Sequence, residues 1–148
     1  MKTPGTRLYN TGQTAIAMKL YLMTILAAGL LSCSSPQQGN APVKTISATE
    51  YKTHHEKIDN QEVMLVDVRT PTEFAAGHLE KTQHADFLSG EFEKEMQQWN
   101  KDKTYYLYCA SGNRSGKAAK LMEEAGFKIV YNIGGYQDLK AAGLPVKE

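Results

Sequence analysis

The 148-residue chain is 41% hydrophobic and 22% charged, the composition of one small globular domain, which excludes a disordered, collagenous or disulfide-dense chain. Lys2, Arg7 and Lys19 are the only charged residues among the first 32, so residues 33–148 hold 14 of the 17 basic and all 16 acidic residues. That balance offers no basic stripe to neutralise a phosphate backbone, and no nucleic-acid partner is expected. The two cysteines, Cys33 and Cys109, lie in such different surroundings that two separate roles are expected rather than a disulfide.

Met18-Lys19 precedes an apolar run from Leu20 to Leu31, broken only by Thr24. The run is too short for a membrane-spanning helix of about 20 residues but suits the apolar region of a secretory signal. Its exit, Leu30-Leu31-Ser32-Cys33, resembles the lipobox of bacterial lipoproteins. The resemblance implies cleavage before Cys33, acylation of that cysteine, and a stable hold on a membrane by two or three chains. The alternative is a free cysteine ending an ordinary signal or a buried helix. The expected organisation is a signal peptide over residues 1–32, starting at Met1 or Met18, a lipidated tether over 33–42, and a domain over 43–148. The place expected is the bacterial envelope, lipid-anchored and facing the periplasm or exterior.

Ser34 to Pro42, rich in Pro, Gln, Gly and Asn, reads as that tether. Ser47-Ala48-Thr49-Glu50 has capping-box spacing and predicts a helix to about Lys57. Val63 to Val66 is a continuous apolar run of strand length. Thr70-Pro71-Thr72-Glu73 opens a second, short helix that Gly77 ends. Ser89 is placed to cap a helix through Glu91, Phe92, Met96 and Trp99. Thr104 to Tyr108 is a β-branched and aromatic strand with Cys109 at its C-terminal end; Tyr105, Tyr106 and Tyr108 read as packing residues. A loop leads to a helix over Lys117 to Glu124, then a strand over Phe127 to Tyr131, and Gly134-Gly135 leads to a last helix around Tyr136 to Ala142. This alternation predicts an α/β fold, a doubly wound sheet of about five mostly parallel strands with helices on both faces. Ligands of such sheets sit at the carboxyl ends of the strands, where Cys109 stands.

Cys109-Ala110-Ser111-Gly112-Asn113-Arg114-Ser115 joins that strand to a helix. Gly112 permits a tight turn in which successive N–H groups converge, and the helix adds its positive end. A thiol there, with Arg114 nearby, is expected to ionise easily and act as a nucleophile. The bland reading is a small buried hydrophobe. Tyrosine phosphatases separate Cys and Arg by five residues, and only four intervene here, a loop fitted to one extra sulfur atom rather than a phosphoryl group. A phosphatase or arsenate reductase is further disfavoured because the domain has no second cysteine.

These residues resemble the single-domain rhodaneses, thiosulfate sulfurtransferases. The family's active loop, Cys-x-x-Gly-x-Arg-Ser or Thr, is matched by Cys109, Gly112, Arg114 and Ser115. Its upstream motif is matched by Asp67, Arg69, Glu73, Phe74, Gly77 and His78, with Leu79 for Ile. Its closing pattern is matched by Gly134, Gly135, Tyr136 and the run Ala142 to Val146. Lys81-Thr82 stands where the family commonly has Gly-Ala, Ala110 where an Arg often follows the cysteine, and Leu139 where a Trp is frequent.

The resemblance implies that the Cys109 thiolate takes the outer sulfur of a donor such as thiosulfate, holds it as a persulfide, and passes it to cyanide or a thiol. The loop residues 110–115 would cradle the sulfur. Arg114 either braces the loop or touches substrate. Asp67, Arg69, Glu73 and His78 are supporting residues: Arg69 and Glu73 are expected to pair, and His78 to make a structural hydrogen bond rather than act as a base. His54, His55 and His84 show no metal-ligand pattern and read as surface or loop residues. No metal and no cofactor is expected. The alternative function is a non-catalytic persulfide carrier or redox-sensing module acting on a protein thiol.

Overall fold

Tyr105, Leu107 and Cys109 alternate with Tyr106 and Tyr108, and all five are buried, so this strand has to be covered on both faces. In the computed structural model, which describes residues 43–55 and 62–148, it forms the middle of the sheet. The elements in chain order are β1 (Lys44–Thr45), α1 (Ala48–His55), β2 (Val63–Asp67), α2 (Pro71–Ala75), β3 (His78–Leu79) and β4 (Gln83–His84). They continue with α3 (Glu91–Met96), β5 (Thr104–Cys109), α4 (Asn113–Glu124), β6 (Ile129–Gly135), α5 (Tyr136–Ala141) and β7 (Val146–Lys147). The apolar N-terminal run, Cys33, the tether and the end of the first predicted helix lie outside the described residues.

Five strands form one parallel sheet in the order β1-β6-β5-β2-β4, the α/β architecture expected. Tyr105, Leu107 and Cys109 pack with Phe92 and Met96 of α3 and Ala118, Ala119 and Met122 of α4. Tyr106 and Tyr108 pack on the other face with Tyr51 of α1 and Tyr136 and Leu139 of α5. From β2 the sheet grows outward to β4, whereas from β5 it grows the opposite way to β6. The order of strand addition therefore reverses between the parallel strands β2 and β5, and their carboxyl ends open a crevice of the kind that holds ligands. The antiparallel pair β3 and β7 lies outside the sequence expectation, because two-residue strands carry no periodicity to read.

Several boundaries differ from those expected, and β6 runs on to Gly135 rather than ending at Tyr131. Helix α4 begins at Asn113 rather than Lys117, because Gly112, at φ 86°, ends the loop and its carbonyl already accepts the Gly116 N–H at 3.0 Å. Phe127 belongs to the end of α4 rather than to β6. Gly126 N–H bonds the Glu123 carbonyl and Phe127 N–H bonds that of Met122, the paired bonds of a left-handed helix stop. Helix α3 ends at Met96 before Trp99, and Gly90 rather than Ser89 takes its cap position, although the Ser89 hydroxyl accepts the Glu91 N–H. Lys81 adopts a φ of 57°, at the place where the family pattern has glycine.

Candidate active site

Only Ala110, Ser111 and Gly112 separate the end of β5 from the start of α4. So short a connection points the unpaired N–H groups of the first helical turn back at the strand end, and Cys109 sits under them. Its sulfur accepts the Gly112 N–H at 3.1 Å and faces the Ser115 hydroxyl at 3.5 Å. Burial pushes the Cys109 thiol up, while the Ser115 N–H and hydroxyl and the N–H groups of Ser111 and Arg114 pull it down; the pull prevails, and the thiol lies below its ordinary value. Arg114 thus acts on the sulfur through its backbone N–H, and its guanidinium also interacts with Cys109. Ala110, Ser111 and Asn113 are exposed, so the cradle is made of backbone and of Ser115, not of their side chains.

The Arg114 guanidinium is also held from across the crevice. It grips Glu73 of α2 through two bonds, Nη1 to Oε2 at 2.7 Å and Nη2 to Oε1 at 2.6 Å. Arg114 holds the Glu73 carboxyl down at about 2, with burial opposing and Thr70 assisting. Glu73 therefore stays ionised at any physiological pH. The same carboxylate accepts the Thr70 N–H, and the Thr70 hydroxyl accepts the Glu73 N–H, a complete capping box that contributes about 1 kcal/mol to so short a helix. Arg114 is a brace, joining α4 to α2 across the crevice rather than bonding loop carbonyls.

The expected pair of Arg69 with Glu73 does not form. Arg69 instead binds Asp67, with Nη2 2.6 Å from Oδ2 and Nε on both oxygens. Residues two apart at the end of a strand emerge on the same side, whereas Glu73 is turned back toward its own helix cap. Arg69 Nη2 also donates to the Gly77 carbonyl at 2.7 Å, and the guanidinium lies 4.3 Å from the centre of the Tyr136 ring. A cleft of about 270 Å³ opens beside the loop, lined by Arg69, Glu73, Gly77, Ala110, Tyr136 and Gln137 among others. The charged groups of this cleft are paired within the protein, Arg69 with Asp67 and Glu73 with Arg114.

His78 stacks on Phe74 at 3.8 Å and its Nδ1 donates to the Phe74 carbonyl, a bond that fixes the α2 turn. His84 is not a loop residue. It is half-buried in β4, and its Nε2 donates to the Arg69 carbonyl at 2.8 Å, tying the two carboxyl-end loops together. The His54 ring pairs with the Tyr106 hydroxyl on the sheet face covered by α1.

Two residues acquire importance only in three dimensions. Asn132 of β6, buried, bonds Gly112 and Ser115. Gly135 lies against the loop so closely that a Cβ there would sit 2.8 Å from the Ala110 carbonyl oxygen. A polar residue inside an otherwise apolar strand and just before a Gly-Gly pair was the available signal for Asn132.

The family description "Rhodanese-like domain" matches residues 47–142. The chain belongs to that family. It is 37% identical over 94 residues to the Bacillus subtilis (strain 168) protein named "Putative sulfurtransferase YtwF", covering 63% of this chain and 86% of that one. It is 32% identical over 117 residues to the tRNA uridine(34) hydroxylase of Photorhabdus laumondii, covering 72% of this chain but only 33% of the hydroxylase, so this chain spans about a third of that relative. A solved rhodanese-like domain protein of Staphylococcus aureus superposes with a TM-score of 0.60 at 29% identity, covering 71% of this chain and 99% of the other. The parallel sheet described above is thus that of a rhodanese-like domain, and family and relatives support sulfur transfer as its general chemistry.

Proposed function

We propose that the chain is a sulfurtransferase that moves a sulfane sulfur from a donor such as thiosulfate to cyanide or a thiol through a Cys109 persulfide. The observation that carries this reading is the Cys109 sulfur under helix-terminal N–H groups, which stabilise an anionic sulfur by fixed dipoles. The thiolate attacks the outer sulfur of thiosulfate; a new S–S bond forms, the donor's S–S bond breaks, and sulfite leaves with the electron pair. Cyanide carbon then attacks the terminal persulfide sulfur, a C–S bond forms, and thiocyanate departs as the Cys109 thiolate is restored. No proton is gained or lost over the cycle, so a general base is not needed and His78 is free to remain bound to Phe74.

A second reading, a persulfide carrier serving a protein thiol, is favoured by the internally paired charges of the cleft, in which Arg69 and Arg114 each already hold a carboxylate. Steady-state assay with thiosulfate and cyanide separates the two. The expected result is thiocyanate released over many turnovers per chain. Release that stops at one equivalent would establish the carrier instead, and no release would overturn both.

We also propose that Cys33 carries the lipid that holds the protein in the cell envelope, supported by the apolar run ending in Leu30-Leu31-Ser32-Cys33. Full-length protein made in a bacterium is expected in the membrane fraction, and Cys33→Ser is expected to lack the lipid while sulfur transfer is retained. An unmodified Cys33 in the wild-type protein, seen by mass spectrometry, would sink this proposal.

A further inference from the structure

Asn132 stands opposite Leu107 of β5, at the point where the pairing of β5 and β6 slips: Leu107 faces Asn132, but Cys109 faces Gly135. The strand β6 therefore carries an extra residue, a bulge of the kind that re-aims side chains beside active sites. The Asn132 side chain closes this bulge, its Oδ1 accepting the Gly134 N–H at 3.2 Å in a local turn characteristic of Asn. The same oxygen accepts the Ser115 hydroxyl at 2.8 Å, and Nδ2 donates to the Gly112 carbonyl at 3.1 Å. Two donors on one side and a carbonyl on the other leave only one orientation for the amide. The residue is 7% exposed, so these bonds compete with little water.

The Gly112 N–H and the Ser115 hydroxyl are among the groups that meet the Cys109 sulfur. We propose that Asn132 is a positioning residue for Cys109, holding the Gly112 peptide and the Ser115 hydroxyl where both face the sulfur. This rests on the reading of Cys109 as the nucleophile. The hydroxyl has a single proton, and Asn132 Oδ1 at 2.8 Å and the Cys109 sulfur at 3.5 Å are both within reach of it. Aspartate at 132 would hold that proton on its own anionic oxygen, add a negative charge to the hydroxyl bridge, and remove the donor to Gly112. Each change disfavours the thiolate.

Other charged or titratable groups around the cleft are Asp67 of β2, Arg69 just beyond it, Glu73 of α2, Arg114 of α4, and Tyr136 and Asp138 of α5. No hydrogen bond or ion pair among the described residues joins any of them to Asn132, so a difference between variant and wild type reports the carboxamide.

The test is the pH dependence of iodoacetamide alkylation in the full-length chain, followed by mass spectrometry of the peptide carrying Cys109, beside circular dichroism and sulfur loading from thiosulfate. The wild-type midpoint is expected below the ordinary thiol value of about 8.5. Asn132→Asp, which keeps the acceptor that closes the bulge, is expected to raise it by about one unit and slow loading near pH 7 about tenfold. Asn132→Ala, which removes the anchors without adding charge, is expected to give a smaller rise. Folded variants that titrate like wild type and lose only thermal stability would show Asn132 to serve the fold alone and overturn the proposal. A wild-type midpoint at or above 8.5 would instead overturn the nucleophile reading beneath it.

Discussion

Cys109→Ser is expected to abolish sulfur loading while leaving the fold in place. Treatment of the wild-type chain with thiosulfate should add the mass of one sulfur atom to the peptide carrying Cys109, and cyanide should remove it as thiocyanate; the serine variant should do neither. The reason is chemical. An alcohol in the same cradle is far too weak an acid to ionise at neutral pH without a strong base, and the imidazole of the family motif, His78, has its Nδ1 on the Phe74 carbonyl. Even an alkoxide would not hold a sulfane sulfur reversibly. Serine nearly matches the thiol in shape and can still accept the Gly112 N–H, so the loss should come without unfolding. Because loading requires the thiolate, its wild-type rate should rise with pH through a value below that of a free thiol, about 8.5, as the lowered Cys109 value requires. Sulfur taken up by the serine variant would count directly against the mechanism.

Gly135→Ala is expected to cost about a hundredfold in sulfur loading, the scale of loss that a displacement near 1 Å brings at a reacting centre. Gly135 has a φ of −98°, a conformation open to any residue, so alanine meets no strain in its own backbone. Its Cβ instead meets the Ala110 carbonyl oxygen at 2.8 Å, Asp138 Oδ2 at 3.1 Å and the Ser111 Cα at 3.3 Å. Asp138 can swing aside, but Ala110 and Ser111 are the loop backbone itself, and moving them moves the N–H groups that converge on the sulfur. Gly112 is held from its far side as well, since a Cβ there would meet the Gly134 Cα at 3.3 Å. The Gly134-Gly135 pair and the Cys109 loop are therefore packed backbone against backbone, and neither can change size independently. Loading kinetics and a thermal melt of the variant check this. Wild-type loading with an unchanged melting temperature would show that this contact does not set the loop.

Helix α4 and helix α2 are joined through Arg114 and Glu73, and the loops after β2 and β4 through His84 and the Arg69 carbonyl. The consequence for catalysis is a rim of crossed ties around a loop of three residues. A loop so short and so tied suits electrostatic preorganisation, where dipoles must already point at the charge that forms. It also excludes the larger cradle that a phosphoryl group requires.

What the sequence determined by itself is local. Apolar runs of strand length, the capping box of Thr70 to Glu73, the glycine beside Cys109 and the alternation of strand and helix each act within a few residues, so their outcome follows from neighbours along the chain. The parallel sheet and the place of Cys109 at its carboxyl edge follow from them. Partnerships among distant residues were decided only by tertiary structure. Arg69 had Glu73 within reach along the chain and took Asp67, because the strand end presents those two on one side. Glu73 was left for Arg114, forty-one residues further on. Asn132 became part of the sulfur's surroundings because one extra residue in β6 turned its side chain toward the first turn of α4. Such contacts depend on register and on the packing of α4 against the sheet, quantities that no local pattern encodes, since the free energy that selects them comes from burying both faces of the sheet at once.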